Sequence, residues 1–366
     1  MSESRVFITR RIPDAGLALL RAAGVRLEIC QRVEEAGVTR EQLLAGVRGC
    51  DVLLPLLTEP IDPEVLAAND RLLGVAQMAV GYNNVDVARD GLGIPVSNTP
   101  GVLTETTADC TWAMLLAVAR CVPQAHNYMV GGRYKLWGPN LFLGGDVGTG
   151  ASGRRKVLGI VGYGRIGQAV AKRSIGFDMD VLAFDPFNRR AIEDDPLATW
   201  AELPELLAKS DFVTLHTPLT PETHHLVGAP ELRQMQKTAY LVNAARGPVV
   251  DEKRWWCAAR AVDRRRRARR VRDRAAAEYQ PLWNLENVIH QPHVAGNSVQ
   301  YHDKIVDVFV ENLTRYLENR PLLNRVLGPS GARSAATGFP ANSASSVRRS
   351  KQPSSWATVA RSRSSE

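Results

Sequence analysis

Residues 157–173 constrain the fold more than any other segment of the chain. The apolar run VLGIV leads into the motif GYGRIG at 162–167, and the helical pattern QAVAKR follows at once. Glycines at this GxGxxG spacing allow a tight turn from a strand into a helix, and they let the backbone approach a pyrophosphate at the helix N-terminus. The segment therefore predicts a parallel α/β domain that binds a dinucleotide. The alternative is a tight strand-to-helix turn in an α/β protein of another kind.

Asp185 bears on which dinucleotide is bound. It lies 18 residues after Gly167, at the end of the apolar run VLAFD. A carboxylate there accepts hydrogen bonds from the adenosine ribose hydroxyls and repels a 2′-phosphate, so NAD(H) is the preferred cofactor. Arg189 and Arg190 follow closely and are able to pair with a phosphate, which keeps NADP(H) as an alternative, although such arginines are more often solvated loop charges.

Strand-like and helical patterns alternate along most of the chain. Runs such as RVFIT and DFVTLH alternate with helical patterns such as PDAGLALLRAAG and LPELLAKS, which predicts doubly wound parallel sheets. A length of 366 residues with 45% apolar content fits two domains. The tail 328–366 contains eleven Ser and few large apolar residues, so it is expected to be disordered.

The net charge of +8 is concentrated in two segments. Residues 260–274 hold nine Arg and two Asp, and the tail holds five Arg, one Lys and one Glu, so the remainder of the chain is mildly acidic. A nucleic-acid-binding protein with an Arg-rich recognition segment is therefore a minor alternative, since a charge run is usually a solvated face. No nucleic-acid partner is expected.

Composition also limits the compartment and the metal chemistry. The five cysteines lie far apart with no CxxC pair, which favours reduced thiols and gives no support to a metal site. No apolar run approaches the eighteen or more residues of a membrane span. The first residues, MSESRVFITRR, lack the apolar core and cleavage site of a secretory signal. We expect a soluble, cytoplasmic protein with no membrane partner.

Six stretches of the sequence together match one known family, and the resemblance extends over nearly residues 5–327. They are VGYNNVDVARDGLGIPVSNTPG, TETTAD, GIVGYGRIGQAVAKR, FVTLHTPLTPETHHLV, LVNAARGPVVDE and PHVAG. Together they resemble the D-isomer-specific 2-hydroxyacid dehydrogenases, and KLWGPNLFLGGDVGT resembles the glyoxylate and hydroxypyruvate reductases of that family. The resemblance implies a discontinuous flavodoxin-like substrate domain at 1–104 plus 296–327 and a Rossmann NAD-binding domain at 105–295. It also implies reaction in the cleft between the domains and a homodimer formed through the cofactor domain.

Two residues carry the expected chemistry. A 2-oxo acid needs a cation to hold its carboxylate and polarise its ketone, and a bidentate guanidinium suits both tasks. Arg246 ends the apolar run AYLVNAA, where a parallel sheet presents its ligands. The ketone oxygen also needs a proton, for which the imidazole of His293 in PHVAG is the candidate general acid and base. If the family resemblance is set aside, the alternative is that Arg246 is an ordinary charge at the end of a strand and His293 an ordinary loop histidine.

The remaining candidate site residues are implied by the resemblance. The backbone at Val80 and Gly81 is expected to bind the substrate carboxylate together with Arg246. The residues expected to contact the cofactor are Thr104, Gly162, Gly164, Arg165, Ile166, Gly167, Asp185, His216, Thr217, Pro218, Thr223, Asn243, Ala244, Ala245, His293 and Gly296.

Residues 263–275, DRRRRARRVRDRA, depart from the family pattern. The family carries there a segment resembling IAGAGLDVFETEP, whose glutamate hydrogen-bonds the catalytic imidazole and raises its pKa. A central strand of a parallel sheet is buried on both faces, and unpaired guanidiniums there would cost several kcal/mol each. The segment as written is therefore not that strand.

The genetic code offers an explanation for this segment. Synonymous codons for residues 263–275 exist for which the frame shifted by one base spells IAGAGLDVFETEP. We hypothesise two compensating frameshifts after Asp251 and before Pro281, affecting about 254–277. A chain with DRRRRARRVRDRA at 263–275 is then expected to have weak or no enzymatic activity, because His293 lacks its orienting carboxylate and the domain lacks a strand. The alternative function is a non-catalytic NAD(H)-sensing regulator resembling the C-terminal binding proteins, but the retained Arg246 and His293 favour an enzyme.

Overall fold

The structure is a computed structural model that divides into two compact units. Unit 1 comprises Met1–Leu103 and Asn297–Thr337, and unit 2 comprises Thr104–Gly296 and Gly338–Glu366. The residues described are 4–31, 37–87, 94–255, 257, 282, 285, 287–318, 320–326 and 357–361. Among them, no helix has the length and apolar character needed to cross a membrane.

Unit 1 contains a six-stranded sheet in the order β12-β5-β4-β3-β1-β2. Its strands are β1 (Arg5–Arg10), β2 (Arg26–Gln31), β3 (Val52–Leu54), β4 (Gly74–Ala76), β5 (Val96–Ser97) and β12 (Arg325–Val326). All neighbours run parallel except β12, which pairs with β5 in the antiparallel direction. The strands β1, β3 and β4 are almost completely buried, as expected for a sheet covered on both faces.

The helices of unit 1 are α1 (Asp14–Ala22), α2 (Arg40–Arg48), α3 (Pro63–Ala67) and α10 (Val299–Leu317). The late helix α10 packs on strands from the first hundred residues through Tyr316. The Tyr316 hydroxyl donates to the carbonyl oxygen of Val75 at 3.0 Å, and its ring lies where a Cβ on Gly74 would collide with it. Glycine at position 74 therefore permits this close packing of the helix on β4.

Unit 2 contains a seven-stranded sheet in the order β11-β13-β10-β9-β6-β7-β8. Its strands are β6 (Val157–Val161), β7 (Asp180–Phe184), β8 (Thr199–Trp200), β9 (Phe212–Leu215), β10 (Tyr240–Asn243), β11 (Val288–Gln291) and β13 (Ala357–Arg361). The pairs among β6 to β10 are all parallel. The strand order reverses beside β6, which is where ligands bind in open α/β sheets. These sheets confirm the predicted α/β class with a Rossmann-type unit.

The helices of unit 2 are α4 (Thr104–Ala119), α5 (Val122–Val130), α6 (Arg165–Ser174), α7 (Arg189–Glu193), α8 (Leu203–Lys209) and α9 (Ala229–Gln234). Some of them pack on each face of the sheet. On one face the indole of Trp112 in α4 donates to the carbonyl oxygen of Val170 in α6 at 3.0 Å and stacks on Phe177. On the other face, buried leucines of α8 pack against β6 and β9. The sheet is thus held rigidly between two apolar layers.

Strand β13 comes from the tail and lies between β10 and β11. It is antiparallel to both neighbours, with Val359 opposite Val242 on one side and Ile289 on the other. A disordered tail is expected from the sequence over 328–366, whereas residues 357–361 are a strand here, whose backbone pairs with the edges of β10 and β11. Residues 263–275, where the family resemblance places a strand, lie outside the described residues.

Candidate active site

The glycine turn joins β6 to α6. Gly162 has φ +94°, and a Cβ there would lie 2.8 Å from the carbonyl carbon of His216. A Cβ on Gly167 would collide with the carbonyl oxygen of Gly162, whereas a Cβ on Gly164 would meet nothing within 4 Å. Two glycines are therefore required by the turn itself, and the third leaves open space beside the backbone, as a bound pyrophosphate requires.

The N-terminus of α6 carries free backbone donors. Gly164 is the N-cap and makes no side-chain cap hydrogen bond. The N–H groups of Gly164, Arg165 and Ile166 donate to no other described residue. Unpaired N–H groups and the positive end of the helix dipole favour an anion at this position. The turn therefore fits the phosphates of a dinucleotide.

Asp185 ties the glycine turn to the loop after β7. Its side chain is buried, and Oδ2 accepts from the N–H of Tyr163 and from the amide of Asn188, each at 2.8 Å. Oδ1 accepts from the N–H groups of Phe187 and Asn188. Four hydrogen bonds use the acceptor capacity of a carboxylate. A ribose diol must replace one of them, and the Asn188 amide is the only side-chain donor of the four.

The two arginines after Asp185 contact side chains in or directly after their own helix α7, and Arg189 also contacts β8. Arg189 donates to Glu193 at 2.7 Å, and its guanidinium lies 4.8 Å from the ring centroid of Trp200. The Arg190 side chain is 94% exposed and lies 3.5 Å from Asp194. Each arginine thus has a carboxylate neighbour four residues further along the chain.

The loop after β9 carries unpaired polar groups. The N–H of His216 donates to Val161 at 2.8 Å, but both ring nitrogens of His216 and the hydroxyl of Thr217 are buried without a partner among the described residues. Burial lowers the pKa of His216 to about 3, so the imidazole is neutral. Thr223 donates to the carbonyl oxygen of Pro218 at 2.6 Å and thereby closes the loop. Unpaired buried polar groups are costly, and a ligand that pairs with them removes the cost.

Asn243 shapes the loop after β10. Its buried amide donates to the carbonyl oxygen of Arg246 at 2.8 Å, and its Oδ1 accepts from the N–H of Ala245 at 3.1 Å. The side chain predicted to contact the cofactor is therefore occupied in fixing the loop that contains Ala244 and Arg246. Side-chain amides commonly stabilise such turns, and the sequence prediction missed this role.

Arg246 is a largely buried cation. Its guanidinium donates to the carbonyl oxygen of Ala245 at 2.9 Å, and it forms no ion pair with any described carboxylate. Burial lowers the pKa of Arg246. A guanidinium removed from water without a counterion is stabilised when an anion binds to it. Arg246 therefore suits the carboxylate of a substrate.

His293 lies at the same edge of the unit 2 sheet as Arg246. Because β13 is antiparallel to both β10 and β11, those two strands run in the same direction, and their carboxyl ends are about 10 Å apart, two strand spacings. His293 follows β11, has φ +50°, and donates its N–H to Gln291 at 2.9 Å. Parallel pairing extends this edge to β9 and β6, so His216 and Gly162 also lie on it.

The other predicted residues occupy less constrained positions. Thr104 begins α4, where it is half-buried, and Gly296 lies in the turn after His293. The family glutamate expected to orient His293 falls in 263–275, outside the described residues.

In unit 1, Val80 and Gly81 follow β4 in a loop held by side-chain amides. Asn98 donates to the carbonyl oxygen of Val80 at 2.8 Å, and Gln77 donates to Asn84 at 2.9 Å. The N–H groups of Val80 and Gly81 donate to no described residue, so they are available to a carboxylate. The supporting amides were not predicted, although three Asn or Gln residues within QMAVGYNN, directly after an apolar strand, indicate a fixed loop.

Known proteins share this architecture and sequence. The family described as D-isomer specific 2-hydroxyacid dehydrogenase, NAD binding domain, matches residues 112–295. A glyoxylate reductase of Korarchaeum cryptofilum is 42% identical over 321 residues, covering 85% of this chain and 92% of that protein. The chain belongs to the D-isomer-specific 2-hydroxyacid dehydrogenase family. This confirms the family predicted from the sequence, and with it an NAD(P)-dependent enzyme that acts on 2-hydroxy or 2-oxo acids.

Further relatives and solved structures agree with this assignment. A glyoxylate reductase of Thermococcus gammatolerans is 40% identical over 324 residues, covering 85% of this chain and 92% of the relative. A crystal structure of a Thermus thermophilus protein matches with a TM-score of 0.76 and 37% identity, covering 88% of this chain and all of that one. An NADPH-dependent glyoxylate/hydroxypyruvate reductase of Sinorhizobium meliloti, solved with NADP and malonate, matches with a TM-score of 0.68 and 26% identity, over 89% and 97% of the two chains.

Proposed function

We propose that this dehydrogenase reduces a small 2-oxo acid, glyoxylate or hydroxypyruvate, to the D-2-hydroxy acid, with Arg246 binding the substrate and His293 supplying the proton. One observation carries the proposal. The glycine turn, the His216 ring, the Arg246 guanidinium and His293 follow β6, β9, β10 and β11 at one edge of a single sheet. Among the described residues, the His216 ring has no hydrogen-bond partner and Arg246 has no carboxylate partner. The glyoxylate reductases at about 40% identity support the substrate class.

Each residue has a separate chemical task. The bound nicotinamide cofactor supplies the hydride. The Arg246 guanidinium binds the substrate carboxylate and polarises the ketone. His293 donates a proton to the ketone oxygen during reduction and accepts it back in the oxidation of the hydroxy acid.

For the cofactor, we propose a preference for NAD(H). The buried Asp185 carboxylate disfavours a second anion beside it, whereas Arg189 already has Glu193 and Trp200 as partners. The Sinorhizobium meliloti relative uses NADPH, so NADP(H) remains the alternative. Comparing kcat/KM for NADH and NADPH decides between them.

We also propose that the enzyme is a homodimer formed through unit 2. The segment 122–143 exposes several large apolar side chains, with Val130, Leu136 and Trp137 each more than 70% exposed. Such a concentration on a monomer is typical of a surface that a partner covers. Light scattering of the full chain should give twice the monomer mass, and Leu136→Glu should shift the mass towards the monomer.

A non-catalytic NAD(H)-sensing regulator is the second candidate. The Arg-rich sequence in place of the family's glutamate segment favours it. The test of the proposed function is a panel of glyoxylate, hydroxypyruvate and phosphohydroxypyruvate with NADH and NADPH, monitored by loss of reduced-cofactor absorbance. Turnover of one of these acids supports the enzyme. Tight NADH binding without turnover of any acid would leave the regulator as the better assignment.

A further inference from the structure

Among the described strands, β11 is joined to the unit 2 sheet through the tail strand β13. In the order β11-β13-β10, the described part of β11 pairs with β13 and with no other strand. The register places Val359 opposite both Val242 and Ile289, so one tail residue bridges the two strands. The pairing therefore closes a gap that would otherwise leave two strand edges open within the sheet.

The position of His293 depends on this pairing. Only one residue separates the end of β11 at Gln291 from His293, whose φ of +50° fixes the direction of the loop. Side-chain contacts also anchor β11, since Val288 is buried and the thiol of Cys110 donates to the Gln291 side chain at 3.1 Å. These contacts attach the strand to α4 and the core, and in the described part of the chain its register relative to β10 is set by the backbone pairing with β13.

We propose that residues 357–361 form a positioning segment for catalysis, in which the tail strand sets the register of β11 and thereby the placement of His293 relative to Arg246. The catalytic part of this proposal rests on the proposed function. The structural part, that the tail protects β11, stands without it. The segment does not touch the reacting atoms, so it acts through β11 alone.

The main experiment compares two truncations of the full chain. One ends after Arg361 and keeps β13, and the other ends after residue 355 and lacks it. Within Val288–Gln291, the amides that donate to β13, every second one in an antiparallel pair, should exchange at least tenfold faster in the shorter chain because they lose their acceptors. Since misplacement of a catalytic group by about 1 Å can cost about 100-fold in rate, kcat should fall by about that factor. The Kd for NADH should change much less, because the glycine turn lies on β6.

A substitution guards against misfolding of the shorter chain. Val359→Pro removes one backbone donor at the centre of β13, and Ser364→Pro places the same residue beyond the strand as a control. Val359→Pro should reproduce the faster exchange at β11 and the loss of kcat, and Ser364→Pro should match the parent chain. A peptide of residues 353–366 added to the shorter chain should restore part of the exchange protection at β11 and part of kcat.

The outcomes separate the two proposals. Unchanged exchange at Val288–Gln291 in both the shorter chain and Val359→Pro would overturn the tail strand. Faster exchange with an unchanged kcat would overturn its role in positioning His293. If the parent chain turns over none of the acids, the proposed function fails, while the exchange measurement still decides whether the tail completes the sheet.

Discussion

The middle of the unit 2 sheet around β6 and its outer strand β11 are built by different means. Around β6, the strand, the glycine turn and α6 are consecutive in the chain, and every strand pair is parallel. At the β11 end, the strand leading to His293 is attached through an antiparallel segment from residues 357–361. The proposed dinucleotide half of the site is thus specified by local sequence, whereas the proposed proton-transfer half depends on segments far apart in the chain.

From this difference we expect cofactor binding and turnover to be separable properties of the molecule. Changes at the β11 end should reduce turnover while leaving NADH bound. Changes around β6 should first weaken the affinity for the cofactor. The following measurements test that separation.

The largest expected effect is the loss of the Arg246 charge. Arg246→Ala should lower kcat/KM by about 1000-fold, since two charge-assisted hydrogen bonds contribute about 4 kcal/mol together. The Kd for NADH should stay within about threefold of the parent value, a factor worth less than about 1 kcal/mol. Arg190→Ala, which removes an exposed charge, is the matched control. Equal kcat/KM in the parent and Arg246→Ala would remove Arg246 from the proposed mechanism.

Restoring the family segment should raise turnover, the property assigned to the β11 end of the sheet. With IAGAGLDVFETEP at 263–275, turnover should rise by about 100-fold, because an oriented imidazole is a better general acid. The restored segment supplies its own strand, so removal of residues after 355 should then have little effect. A version with Gln in place of the second glutamate, at position 274, keeps the strand but lacks the carboxylate that the resemblance assigns to the imidazole. It therefore separates the effect of that carboxylate from the effect of the strand. No gain in either version would show that the Arg-rich segment is immaterial to turnover.

Two glycines of the turn should respond differently to the same change. Gly164→Ala should fold normally but weaken NADH by about tenfold, or about 1.4 kcal/mol, because the added methyl occupies the space beside the phosphates. Gly162→Ala should instead lower the melting temperature, since its φ of +94° and the His216 backbone exclude a Cβ. Calorimetry and fluorescence titration check both. Normal NADH affinity in Gly164→Ala would argue against phosphate binding at this turn.

Asn243 tests how tightly the Arg246 loop must be held. Asn243→Asp keeps the shape and the acceptor for Ala245 but replaces the donor to Arg246 with an oxygen. Losing that buried hydrogen bond costs about 1–3 kcal/mol, so kcat/KM should fall by about tenfold with little change in NADH affinity. Loss of NADH affinity instead of turnover would return Asn243 to the role of a cofactor contact.

The last prediction concerns the free energy of unfolding, and not activity, as a function of pH. The pKa of His216 is lowered by burial to about 3, below its ordinary value near 6.5, so the unfolded chain binds a proton that the folded chain excludes. The free energy of unfolding should therefore decrease as the pH falls from about 6.5 towards 3, by about 2 kcal/mol at pH 5. Urea titrations at pH 7 and pH 5 measure this decrease. His216→Gln should lose that part of the pH dependence, and an unchanged slope would contradict a buried neutral imidazole.

The sequence predicted the parts of the molecule in which local pattern and structure coincide. The GxGxxG spacing and the alternation of apolar runs gave the α/β class, and the combined motifs gave the family, because each depends on residues close together in the chain. Gly162 is one example, since its turn conformation follows from its neighbours in the motif.

The sequence did not predict features that depend on distant partners. Strand β13 was missed because average composition over 328–366 conceals five residues that pair with strands more than sixty positions away. The roles of Asn243 and Asn188 were missed because a side-chain amide selects its partners only after the loop has formed. Hydrogen-bond geometry in loops is therefore the part of the site that required the structure.

The packing of Tyr316 over Gly74 has a consequence for synthesis on the ribosome. The hydroxyl of Tyr316 reaches a carbonyl 241 positions earlier in the chain. At a synthesis rate of about 5–20 residues per second, roughly 10–50 s pass between the synthesis of β4 and that of the helix that covers it. All of residues 104–296 are synthesised in that interval. The inserted unit can thus begin folding before the unit that flanks it is complete, and the nascent apolar sheet needs protection during that interval.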